Sequence, residues 1–94
     1  MDAVYKYFRN TKVTVNVTPT KLPEVLLDNR VLLIIQLVTD GPVYLGGPNV
    51  STFGTFQGLM LPAKYSSAVI DAKVFATLFG IAATPQEVIV IEGV

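Results

Sequence analysis

The nucleophiles this sequence offers are Ser51, Ser66 and Ser67, and a serine hydroxyl attacks only when a base takes its proton. Histidine, the usual base near neutral pH and the commonest metal ligand, does not occur in the 94 residues. Cysteine, whose thiolate is the strongest side-chain nucleophile, is absent too. Lys64 and Lys73 are the bases near the serines in sequence, and a Ser-Lys pair needs a desolvated lysine within hydrogen-bond reach. The plainer reading is polar loop serines. Glu24 and Asp28 stand four apart, the spacing of one helix face. Val25, Leu26 and Leu27 beside Pro23 do not promise a helix, so the two carboxylates read as solvated side chains and not as an acid/base pair or a metal site. Leu45-Gly46-Gly47-Pro48-Asn49 has the glycines of a phosphate loop but lacks Gly-Lys-Ser/Thr and a following helix. Pro48 also removes an amide, and the stretch reads as a tight turn. No catalytic, cofactor-binding or metal-binding residue is assigned, and the expectation is a protein that is not an enzyme.

One cluster remains. Ahead of the first strand, Tyr5, Tyr7 and Phe8 interleave with Lys6, Arg9 and Lys12. Aromatic and basic groups in alternation can stack on and neutralise single-stranded nucleic acid. They equally suit the core of a protein interface, where Tyr, Phe and Arg are favoured, or a cap over the chain's own barrel. Residues 1–11 are read as an N-terminal arm, with Tyr5, Tyr7, Phe8 and Arg9 as its partner contacts, and residues 12–94 as a single β domain.

Composition points toward association. Apolar residues make up 51% of the chain and charged residues 15%, against about 25% charged in ordinary soluble domains. Part of such a surface is expected to be covered by neighbours. Seven basic and seven acidic side chains cancel, which removes the positive field that duplex or membrane-surface binders rely on. Nucleic acid is therefore unlikely as a partner, and no apolar run reaches the length of a membrane span. The first ten residues lack the continuous apolar stretch of a secretory signal, and a cysteine-free chain fits a reducing compartment. With 94 residues, the chain has apolar surface for one core.

Periodicity predicts strands throughout. Residues 12–18 alternate, with Val13, Val15 and Val17 on one side and Thr14, Asn16 and Thr18 on the other. Pro19 and Pro23 bracket a turn or edge segment. Residues 31–38 are apolar and rich in β-branched side chains, so they predict a strand covered on both faces. Asp40-Gly41-Pro42 ends it in a turn, and a short strand over 43–45 is expected to complete a hairpin with it. Residues 50–58 read as a loop, 59–61 as a brief strand, 66–71 as a strand and 72–78 as a further strand. The segment 87–92 is apolar on both faces and predicts a central strand covered on both sides. About seven short strands with Gly/Pro punctuation describe an all-β fold, a small antiparallel β-sandwich or a jelly-roll-like barrel.

The order of these features resembles a known group. An alternating Thr-Val strand is followed by Leu26-Leu27 and Arg30, an apolar strand, the turn Val43-Tyr44-Leu45-Gly46-Gly47, a polar Thr/Gly loop, and a closing Val-Ile-Val-Ile-Glu over residues 88–92. This is similar to the small all-β virion proteins of tailed bacteriophages, found as capsid decoration (cement) or minor structural components. The resemblance spans residues 11–94. It implies a homo-oligomer, most often a trimer, that sits on a shell of major capsid protein in a virion assembled in the host cytoplasm. Pro48 departs from the open loop usual at that point, and Phe53 and Phe56 add apolar bulk; no site residue carries over.

The resulting expectation is a non-enzymatic virion structural protein, a decoration protein that bridges capsid subunits and stabilises the head. A tail, adaptor or fibre-base component is the alternative within the virion. A carbohydrate-binding module is the alternative of another class, with Tyr44, Tyr65 or Phe53 as a stacking platform.

Overall fold

The computed structural model describes residues 7–71 and 77–94. The Thr-Val alternation belongs to a strand longer than its own pattern, β1 (Phe8–Val15). Arg9, Thr11, Val13 and Val15 turn inward, while Phe8, Asn10, Lys12 and Thr14 face out. Residues 8–11 of the expected arm are thus strand residues, because all eight positions of β1 pair in register with the last strand. The strand stops before Val17, which is exposed. The Asn16 amide donates to Thr20 Oγ1 at 3.1 Å, and that hydroxyl donates to the Thr18 carbonyl at 3.0 Å, so local bonds bend the chain there.

The remaining strands are β2 (Thr20–Lys21), β3 (Leu32–Leu37), β4 (Val43–Gly46), β5 (Leu59–Leu61), β6 (Ser67–Asp71), β7 (Phe79–Ile81) and β8 (Gln86–Gly93). They form two four-stranded antiparallel sheets in the orders β1-β8-β3-β6 and β2-β7-β4-β5. The fold is a small antiparallel β-sandwich. Of its eight described strands, β2 and β7 were not expected: β2 falls in the segment read as a turn or edge, and β7 follows the stretch 72–78. Most of the expected strand over 72–78 lies outside the described residues.

Among the described strands, only β4 and β5 are both consecutive in the chain and paired in one sheet; the other connections joining consecutive strands cross between layers. This corrects the hairpin expected for β3 and β4, which lie in different sheets. The corner between them is held from a distant strand. Gln86 Oε1 accepts from the Gly41 amide at 2.8 Å and from the Thr39 hydroxyl, and Thr39 Oγ1 in turn accepts from the Glu87 amide at 3.0 Å. Gly41 has φ +77°, and a Cβ there would lie 2.5 Å from Leu37 Cδ2, so glycine lets the chain leave β3 without collision.

Val15, Leu33, Ile35, Leu37, Val88 and Val90 from one sheet meet Val43, Leu45, Leu61 and Ala82 from the other in a single core, with Leu22 filling one side. β8 lies between β1 and β3, the central position its composition predicts. The coverage of both faces does not follow. β3 and β8 alternate buried with half-buried residues, because the second sheet packs on one side and the described residues supply no third layer.

Candidate interaction surface

The face that the described residues leave open has an apolar centre by register. Across β1, β8, β3 and β6 the outward side chains form three rows: Phe8, Gly93, Leu32, Asp71; Asn10, Ile91, Ile34, Val69; and Lys12, Ile89, Gln36, Ser67. Leu32, Ile34, Ile89 and Ile91 are half-buried by their neighbours alone, Phe8 is 49% exposed and Val69 69% exposed. Outward-facing strand positions are ordinarily polar when they meet water; here Asn10, Lys12, Gln36, Ser67 and Asp71 are polar and the apolar side chains gather between them at the centre of the sheet. Charge is confined to the rim. Lys12 Nζ lies 3.3 Å from Glu87 Oε2 at one end, and Asp71 closes the opposite corner of the β6 side.

Beneath this face, Glu92 is fully buried. Its Oε1 accepts from Arg9 Nε at 3.0 Å and from Arg9 Nη2, while Oε2 accepts from Arg30 Nη1 at 3.0 Å and from the Leu27 amide at 2.9 Å. Arg9 Nη2 also donates to the Val25 carbonyl. A buried carboxylate needs such company, since isolation in the interior is costly. The cluster ties β1, β8 and the β2–β3 connection together, which holds the loop over residues 25–30 against the sheet. Alternation puts Glu92 on the same side of β8 as Val88 and Val90, the signal that could have shown its burial, but the sequence read both sides as covered. The partners were not readable, because they come from residues far away in sequence.

Of the expected partner contacts, Phe8 stands on the open face. Tyr7 is exposed and exchanges backbone bonds with Val94 at 3.2 and 2.9 Å. Arg9 points inward to Glu92, with its side chain 29% exposed. Tyr5 lies outside the described residues. The sequence reading missed Leu32, Ile34, Val69, Ile89 and Ile91, since nothing in a strand's own pattern says whether its second apolar side is covered.

The other candidates separate. Phe53 is 76% exposed in the β4–β5 loop, Tyr65 is exposed in the β5–β6 loop with Lys64 Nζ 5.3 Å from its ring centroid, and Tyr44 is half-buried on β4. The glycine-rich stretch is a turn, closed by the Val50 amide on the Gly47 carbonyl at 3.0 Å. Glu24 and Asp28 are both exposed. Among the described residues, no three His, Cys, Asp or Glu side chains gather as metal ligands would.

The class defined by these features is a β-sandwich with an open apolar sheet face. No protein-family model matches the chain, no curated protein matches it, and no solved structure matches it.

Proposed function

We propose that this chain is a non-enzymatic structural subunit of a tailed-phage virion, a capsid decoration protein that bridges neighbouring major capsid subunits and stabilises the head. One observation supports the assembly role: the centre of the outward β1-β8-β3-β6 face carries Leu32, Ile34, Ile89, Ile91 and Val69 where a solvated sheet would be polar. The virion setting is supported by the order of sequence features, from the Thr-Val strand through Val43-Tyr44-Leu45-Gly46-Gly47 to the closing Val-Ile strand.

The mechanism is burial. Apolar surface removed from water contributes roughly 25 cal/mol per Å², and association opposes it by about 4–15 kcal/mol in lost freedom. One small face therefore holds a single contact modestly. Copies fixed on a shell act together, because each bound copy raises the local concentration for its neighbours' contacts.

The test is made on virions of the phage that encodes the chain. Mass spectrometry and imaging locate it on the head, and purified protein rebinds stripped shells to saturation while Ile34→Lys protein does not. Location on the tail moves the assignment to a tail, adaptor or fibre-base component. Absence from virions overturns the proposal.

A further inference from the structure

The exposed edge of β1 has an uncommon combination of properties. Tyr7 and Val94 exchange both backbone bonds, and an antiparallel ladder alternates bonded and non-bonded pairs. The odd-numbered residues of β1 therefore bond to β8, and the amides and carbonyls of Asn10, Lys12 and Thr14 point away from it. Among the described residues no strand pairs with that side.

Natural edges are guarded by shortness, bulges, proline or charge, above all lysine. β1 runs eight residues in unbroken register without a bulge or proline. Of its two cations, Arg9 binds Glu92 in the interior, and Lys12, its side chain 63% exposed, lies 3.3 Å from Glu87 on the outward face of the sheet. The layer below does not obstruct the edge either. β2 is two residues long, and a cleft of about 480 Å³ opens beside the strand between Thr11, Lys12, Val13 and Thr14 on one side and Thr20, Lys21 and Glu24 on the other.

We infer that this edge pairs with β1 of a second copy, antiparallel about a two-fold axis through Thr11. Matching inward to inward side chains allows only registers centred on a residue. Centring on Lys12 opposes two like charges. Centring on Asn10 or Val13 overlaps five of the eight strand residues, against seven for Thr11. Centring on Thr11 pairs Phe8 through Thr14 with their counterparts, setting Asn10 opposite Lys12 and Phe8 opposite Thr14, with no like charges facing. Asn10 and Lys12 then form bonded pairs across the joint, and the two Thr11 residues face each other as a non-bonded pair. The result is one eight-stranded sheet with two apolar faces joined in a single plane. This two-fold joint uses a different surface from the apolar face and holds whether or not the chain is a virion protein.

The natural chain has no cysteine, so crosslinking is clean. A non-bonded antiparallel pair brings Cα atoms to about 4.5 Å, within disulfide range. Thr11→Cys protein is expected to form a covalent dimer under mild oxidation, and Thr14→Cys protein, whose two sites lie about 20 Å apart at strand rise, is not. Sedimentation of the unmodified full chain is expected to give twice the 10.2 kDa chain mass. Lys12→Pro, which removes an outward amide and no β8 bond, is expected to give a folded monomer. Equal crosslinking of the two cysteine variants overturns the inference, as does a dimer that survives in folded Lys12→Pro protein. Should Lys12→Pro lose its strand circular dichroism, the cysteine pair alone decides.

Discussion

Arg30 Nη1 donates to Glu92 Oε2 at 3.0 Å across 62 residues of chain, with the two side chains 4% and 0% exposed. Arg9 approaches the other carboxylate oxygen from β1. One acidic side chain thus fixes the edge strand, the central strand and the loop ahead of β3. The arrangement binds the sheet that carries the open face, although it takes no part in that face.

Removing one arginine leaves a buried carboxylate short of charge. Arg30→Met is expected to lower the unfolding free energy by about 3–5 kcal/mol, the usual consequence of breaking a buried pair. A domain of this length holds only about 5–14 kcal/mol in total. Urea titration measures the loss. Adding Glu92→Leu to Arg30→Met is expected to restore part of it, giving a coupling energy well away from zero in the double-mutant cycle.

Gln86 secures the crossing from one sheet to the other. In Gln86→Ala the half-buried Gly41 amide and Thr39 hydroxyl lose their acceptor, and a typical hydrogen bond contributes about 0.5–1.5 kcal/mol. The urea midpoint is expected to fall accordingly. Hydrogen exchange at the Gly41 amide is expected to accelerate more than exchange in β1, because the release is local.

The open face is separable from the fold. Val69 is 69% exposed, and surface changes of this kind stay within about 0.5 kcal/mol. Val69→Lys is expected to melt within about 4 °C of the parent chain while binding less of a hydrophobic dye. A large drop in melting temperature would mean that the residue is covered in the isolated protein.

Gly58 marks where β4 and the following loop meet most closely. A Cβ there would stand 2.4 Å from the Leu45 carbonyl oxygen and 2.6 Å from Val50 Cγ2, so Gly58→Ala forces backbone apart. The expected cost is about 1–3 kcal/mol, typical of overpacking. Gly47→Ala meets only Asn49 Oδ1 at 3.7 Å and is expected to be nearly neutral. Thermal melts of the two variants side by side distinguish them.

Most of the strands were legible from local pattern, although β2 and β7 were not. Alternation at Val13 and Val15, the β-branched run of β3, the punctuation at Asp40-Gly41-Pro42 and the closing Val-Ile strand each named an element, and β8 is central as its composition required. Such signals are local, since a side chain's direction in a strand follows from its own position. What stayed hidden depended on partners. β3 and β4 read as a hairpin because turn residues join them, yet Gln86, far along the chain, holds their corner so that they enter different sheets. The pairing of Arg9 with Glu92 was hidden because a sequence shows a charge without the carboxylate that receives it.

By itself the sequence determined that this protein is built from short strands around one core and carries more apolar surface than one core needs, since periodicity and composition are properties of the chain alone. Only the tertiary structure decided where the excess lies. Two layers cover one side of the sheet formed by β1, β8, β3 and β6 and leave Leu32, Ile34, Ile89, Ile91 and Val69 on the other. Coverage depends on which sheet packs against which, and that depends on contacts between residues distant in sequence.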